Sequence, residues 1–295
     1  MRRCSVGLIL SAGCCAAPFI EPDAALQRPA DFEGVLRALN LSVISGHRAD
    51  LGAYHGKSHA FDKLMEGIAV RTGYEDQSSA AYYFDIFQRV HLNKHAIGRV
   101  VELGVFQGGT TQIFAGIAEH SPKLELHLID NNARNLRCAH ERARRNFPSA
   151  AARIRLFNGT LPEYVRDVLL TEHSPASLFV HHDASHDFNQ VVRDLASLYF
   201  VGERLHSVGV QDTHLRSHPR KPNFVDLAVR AVFGADMVAE PIGAAYSKDN
   251  ALMMNPNQWD GEYFLPGVHE GIFLLMSQNS FAYPHVRHSI DDFVR

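Results

Sequence analysis

The densest chemistry in the sequence is the run His181-His182-Asp183-Ala184-Ser185-His186-Asp187. Asp183 ends an apolar run, SLFVHHD (177 to 183), and His186 follows three residues later at the entry of an amphipathic stretch. Both side chains are therefore expected near one point. Three or four polar residues crowding one turn need more explanation than a helix cap. Ser185 or Asp187 also suits helix capping, and one of His181 and His182 is expected to be a hydrogen-bonded core residue. A second polar end follows SVGVQD (207 to 212), where Gln211, Asp212, Thr213 and His214 are adjacent. If the two runs are neighbouring strands, Asp183, Asp212 and the amide oxygen of Gln211 form an oxygen set for magnesium or another divalent cation. A rival reading gathers His181, His182, His186 and His214 around zinc or iron in a histidine-rich metalloenzyme.

A second constellation is Glu102-Leu-Gly104-Val-Phe-Gln-Gly108-Gly109-Thr110-Thr111, set between an apolar run and the apolar stretch QIFAGIA. Glycines let the backbone approach a bulky ligand, and Thr110 or Thr111 would cap a helix whose exposed amides face that ligand. The acidic-x-Gly-x-x-x-Gly spacing differs from the GxGxxG of dinucleotide sites. Asp130 ends the next apolar run, about 26 residues beyond Gly104, where a carboxylate accepts from both hydroxyls of a ribose. Asn158-Gly159-Thr160, at the end of the run after that, reads either as a wall for the nucleoside base or as a turn before the next helix.

Elements must hold these residues together. Short apolar runs alternate with amphipathic stretches from Arg99 onward, the pattern of β-α units and a mainly parallel sheet. Strands are expected at 99 to 105, 124 to 130, 154 to 158, 177 to 183 and 207 to 212. Helical spacing joins Leu161, Tyr164, Val165, Val168 and Leu169, and again Phe188, Val191, Val192, Leu195, Leu198 and Tyr199. A helix from Val225 to Phe233 stops at Gly234, and MVAEP and NALMMN after it read as a closing antiparallel pair. In open sheets of this kind ligands bind beyond the carboxyl ends of the strands, where the polar residues above converge.

VELGVFQGGTT, LIDNN, HHDASHDFNQVVRDL and VGVQDTH together resemble, in order and spacing, the macrocin O-methyltransferase and cephalosporin-hydroxylase-like family of class I methyltransferases. The resemblance runs from about residue 55 to 255. It implies an α/β, Rossmann-like sheet with a closing antiparallel strand and helices on both faces. It implies S-adenosylmethionine as cofactor, with Glu102 receiving its ammonium group, Gly104, Gly108, Gly109 and Thr110 around its methionine end, Asp130 on the ribose, Asn158 and Gly159 beside the adenine, and Asp183 close by. By the same resemblance Asp183 binds the metal and His186 is the general base of O-methylation on a small-molecule hydroxyl, of sugar or natural-product type. The family's fifth strand usually ends in two acidic residues, and here the first is Gln211. That neutral ligand lowers the site's negative charge and weakens the case for metal. It also keeps open a cofactor-binding protein without catalysis. The resemblance is compatible with a homo-oligomer.

The bulk properties agree with an enzyme of small molecules. With 295 residues, 46% apolar and 21% charged, the chain suits one large globular domain with extensions. We read 1 to 30 as a disordered or signal-like N-terminus, 31 to 94 as a helical lead-in or lid, 95 to 257 as the cofactor-binding domain, and 258 to 295 as an extension without assigned role. A net charge of -3 gives no basic field for nucleic acid. The run Arg142, Arg144, Arg145 reads as a solvated helix face. No segment reaches the roughly 18 apolar residues of a membrane span, and a cytoplasmic location is expected, with MRRCSVGLILSAGCC as a weak signal or lipoprotein-like alternative. Four cysteines show no disulfide or zinc spacing.

Overall fold

Five apolar runs form the parallel centre of the molecule: β2 (Arg99–Leu103), β3 (Glu125–Asp130), β4 (Ile154–Asn158), β5 (Leu178–His182) and β6 (Leu205–Gln211). The computed structural model describes residues 19–41, 51–70, 78–173, 175–217, 224–247, 263–284 and 287–294. In chain order, β1 (Phe19–Ile20), α1 (Phe32–Ala38), α2 (His59–Gly67) and α3 (Ala80–Asn93) precede β2. α4 (Gly109–Glu119), α5 (Ala133–Asn146), α6 (Pro148–Ala151), α7 (Leu161–Tyr164) and α8 (Phe188–Ser197) lie between the central strands. β7 (Leu215–Arg216), α9 (Val225–Phe233), β8 (Glu240–Ala245), β9 (Tyr263–Phe264) and β10 (His269–Leu275) follow β6. The main sheet runs β1-β4-β3-β2-β5-β6-β10-β8, and β7 pairs with β9 separately.

Parallel strands covered on both faces read as unbroken apolar runs. β2 and β5 accordingly are buried at every position. On one face Ile86 and Phe87 of α3, Phe114 of α4 and Leu136 of α5 pack on Val100, Leu126, Leu128 and Phe179. On the other, Leu161 and Tyr164 of α7, Val191 and Leu195 of α8 and Val229 of α9 pack on Val101, Ile129, Val180 and Val208. Each such side chain stabilises by about 1.5–3 kcal/mol, so the strands are fixed from both sides and their carboxyl ends are held in one row.

The closing strands differ from the expectation. β10, from the tail read as an extension, lies antiparallel to β6 with Gly271 opposite Gln211, and β8 lies antiparallel to β10. The tail is thus part of the sheet, with Phe273 and Leu275 packed on one face and Ile272 and Leu274 on the other. MVAEP contributes only its end to β8, and NALMMN lies outside the described residues.

The N-terminal region is also more engaged than a loose leader. Phe19 and Ile20 pair antiparallel with β4, and Leu26, Phe32, Val35, Leu36 and Leu39 pack with Cys138 of α5. The arginine run on α5 is correspondingly not a solvated face. Arg142 is buried and donates to the Gln107 carbonyl at 3.4 Å, while Arg145 donates to the Pro29 carbonyl at 2.7 Å and to Glu141 at 2.8 Å. These charges dock the N-terminal segment, which a helical wheel alone does not reveal. Among the described residues no helix is long and apolar enough to cross a membrane.

Candidate active site

The end of β2 sets the geometry. Gly104 has φ +81°, and a Cβ there would fall 1.9 Å from the Asp183 carbonyl oxygen. The backbone leaving β5 therefore passes against the turn leaving β2, which only glycine allows. Gly108, at φ +83°, is the N-cap of α4 and makes no side-chain cap. The expected threonine cap is absent because the left-handed glycine turns the chain directly into the helix. Thr111 instead donates its hydroxyl to Glu102 at 2.7 Å.

Beyond these strand ends lies a cavity of about 580 Å³, lined among others by Glu102, Gly104, Gly109, Thr110, Asp130, Gly159, Asp183, His186 and Asp212. This lies within the size range of small-molecule and cofactor sites. Gly108 and Asn158 support the wall without lining it. The Asn158 amide donates to the Asp130 carbonyl at 2.9 Å. Asp130 itself accepts from Asn132 N at 2.8 Å and Val105 N at 3.2 Å, which aims its carboxylate along the rim. Burial raises its pKa and the amides pull it back.

Glu102 is 1% exposed, and burial pushes its carboxyl well above the usual range, with Asp183 and Asp130 adding to the effect. A buried carboxyl of this kind is satisfied by a proton or a cation. The ammonium end of an amino-acid cofactor fits that requirement. The glycine turn and Asp130 likewise fit a ribonucleoside, so the residues present suit S-adenosylmethionine.

At the opposite end His186 Nε2 lies 3.0 Å from Asp212 Oδ2. Asp212 has φ +61°, an uncommon conformation for a residue with a Cβ. Burial acts to raise the Asp212 carboxyl, but the neighbouring His186 outweighs it and the net shift is downward. Asp183 moves well above its usual range, through burial and then through the Asp212 charge beside it. Gln211 departs from its expected place. Its amide nitrogen donates to Ser78 Oγ at 2.6 Å, and the side chain does not line the cavity. Side chains alternate across a strand, so Gln211 and Asp212 cannot both face the same site without a bulge.

The histidines do not converge. His181 shares a 2.7 Å hydrogen bond with the Tyr82 hydroxyl, and burial lowers its pKa to about 3. His182 pairs with Asp194 at 3.2 Å, and His214 stacks on Phe264 at 4.2 Å. Among the described residues no group of three or more His, Cys, Asp or Glu side chains is arranged to hold a metal ion. The histidine-rich metalloenzyme has no support in this geometry. Asp187 caps α8, accepting from Gln190 N at 3.1 Å.

Glu270 escaped the sequence reading. It lies on β10, lines the cavity, and accepts from Ser79 N at 2.9 Å and from the Ser79 hydroxyl. Burial raises its carboxyl to about 8. Between the ordinary carboxyl range and about 8 the folded protein keeps a proton that the unfolded chain releases, so stability falls as pH rises through that window. Glu270→Gln removes the slope. Its stability relative to wild type should be greater at about pH 8 than at about pH 5, by on the order of 2 kcal/mol in urea titrations. An identical difference at both pH values would mean that Glu270 is ionised throughout.

The site is thus a mainly parallel sheet with carboxylates suited to a nucleoside at its strand ends. Residues 101–208 match the family model described as a methyltransferase domain. No curated protein sequence matches the chain. Among solved structures, it is similar to the O-methyltransferase from Bacillus cereus in complex with SAH, at 13% identity, over 55% of this chain and 70% of that one, with a TM-score of 0.40. It is also similar to the TDP-rhamnose 3'-O-methyltransferase of calicheamicin biosynthesis, at 14% identity, 87% and 96% coverage and a TM-score of 0.42. A third is an SAH-bound methyltransferase from Podospora anserina, at 12% identity, 66% and 73% coverage and a TM-score of 0.38.

Proposed function

We propose that this chain is an S-adenosylmethionine-dependent O-methyltransferase acting on a hydroxyl of a small molecule. The observation that carries the reading is the His186–Asp212 pair, 3.0 Å apart, on the wall of the cavity that Glu102 and Asp130 also line. When bound, the cofactor supplies a sulfonium methyl group to an attacking oxygen. Glu102 would hold the ammonium end, the turn at Gly104 to Thr110 would take the methionine portion, and Asp130 would accept from the ribose hydroxyls.

His186 does the proton work. Asp212 accepts the Nε2 hydrogen, which fixes the imidazole tautomer with Nδ1 as its basic nitrogen. The imidazole would take the proton of the acceptor hydroxyl, and the Asp212 carboxylate beside it would stabilise the imidazolium. Holding both reactants in attack geometry contributes further, on the order of 7–11 kcal/mol in favourable cases.

A divalent cation such as magnesium belongs to the finer reading. Burial and then the neighbouring Asp212 carboxylate disfavour ionisation of Asp183, and a divalent cation held by these two residues would offset that repulsion. These two oxygen donors suit a hard ion whose shell is completed by water and substrate, and such an ion lowers a bound hydroxyl's pKa. Gln211 has no part in it. Calorimetric titration with S-adenosylhomocysteine, with and without magnesium, tests both levels. We expect binding in each case, and a separate magnesium event that Asp183→Asn removes. Failure to bind S-adenosylhomocysteine would defeat the cofactor reading; a magnesium event unchanged in the variant would defeat the metal one.

A further inference from the structure

The cavity wall where α8 packs against α7 contains a hydrogen-bonded chain that none of the roles above uses. Gln190 of α8 lines the cavity together with Gly159, Thr160 and Leu161, which follow β4. Its amide nitrogen donates to Asp194 Oδ1 at 2.9 Å. The other oxygen, Asp194 Oδ2, accepts from His182 Nε2 at 3.2 Å. Asp194 and His182 are 3% and 1% exposed; Asp194 also lines the cavity beside Gln190, and His182 stands behind it.

The chain of partners decides which way the amide points. A carboxylate only accepts, so the NH2 of Gln190 must face Asp194 and its carbonyl oxygen Oε1 must face away from it. Gln190 N also anchors the first turn of α8 to Asp187 at 3.1 Å, which limits how far the residue can shift. The acceptor of this cavity-lining amide therefore lies on the side turned away from Asp194. With a ribose against Asp130, the base attached to it reaches the stretch lined by Gly159, Thr160 and Leu161. Adenine offers an exocyclic N6 amino donor there. Hypoxanthine offers an O6 acceptor in the same place, which a fixed acceptor repels.

We propose that Gln190 reads the cofactor's base, its Oε1 accepting from adenine N6, with Asp194 and His182 as positioning residues that lock the amide. The inference rests on the S-adenosylmethionine reading and adds a determinant of nucleobase specificity on α8. The seam is read by orientation, because a freely turning glutamine would accept either base.

The test compares S-adenosylhomocysteine with S-inosylhomocysteine by calorimetry on the full chain. Wild type should prefer the adenine ligand by at least about tenfold, as one well-made hydrogen bond against one mismatch implies. Gln190→Met keeps the side chain's length but removes its acceptor. The variant should bind S-adenosylhomocysteine about tenfold more weakly and lose most of the preference, while a single cooperative thermal transition, lowered because Asp194 loses a donor, shows that it is folded. Asp194→Asn frees the amide to turn and should shrink the preference through weaker rejection of the inosine ligand. If Gln190→Met binds both ligands in the wild-type ratio, Gln190 does not read the base. If wild type binds neither ligand, the cofactor reading falls first and takes this inference with it.

Discussion

His186→Ala should lower kcat for methyl transfer by about 10²–10⁴-fold, while S-adenosylhomocysteine binds as it does to wild type. The expectation follows from where the imidazole stands. It lines the cavity and is tied through Nε2 to Asp212 at 3.0 Å, whereas the groups suited to the cofactor, Glu102 and Asp130, belong to other strands. On the proposed roles, removing the ring would delete the proton acceptor and leave Glu102 and Asp130 in place. The measurement is a pH-rate profile on an acceptor found by screening hydroxyl compounds. The variant's residual rate should climb with pH, because hydroxide must then supply the deprotonation that the imidazole gave. Asp212→Asn should reproduce part of the loss by releasing the tautomer. Wild-type turnover in His186→Ala would remove the residue as base.

The largest structural effect is expected at Gly104. Gly104→Ala would place a Cβ 1.9 Å from the Asp183 carbonyl oxygen at a φ of +81°. Backbone rather than a flexible side chain is the obstacle, so the ends of β2 and β5 must separate. We expect a loss of about 4 kcal/mol or more, at the extreme of single substitutions. Gly56→Ala is the control. Gly56 has nearly the same φ, +79°, with nothing within 4 Å of the added carbon. It should cost only the left-handed strain, roughly 1–2 kcal/mol. Urea denaturation of the two variants separates strain from collision, and equal losses would show that the contact with Asp183 yields easily.

What the sequence discloses here is governed by the range of the interactions. The ends of β2, β3 and β5 were legible because each polar residue closes an apolar run, and Gly104, Asp130 and Asp183 follow from that punctuation alone. Gly108 was legible as a turn, but its place at the N-cap was not, since a threonine two residues on offered an equally good local cap. Gln211 and Asp212 illustrate the limit. The two are adjacent in sequence, yet the partner that claims Gln211 is Ser78, 133 residues away. Glu270 binds Ser79 across 191 residues, and nothing in HEGIFLL marks one glutamate as cavity lining. Arg145 and the segment it holds at Pro29 are hidden in the same way. Pairings of this kind arise only when the sheet brings distant strands together.

The two-residue strand β1 has a consequence out of proportion to its length. Phe19 and Ile20 cover the outer side of β4, which would otherwise offer free amide and carbonyl groups to any passing chain. Trimming the polypeptide up to that point leaves this guard in place, whereas cutting a few residues further would uncover a ready template for intermolecular pairing, and the molecule's colloidal behaviour would change before its catalysis did.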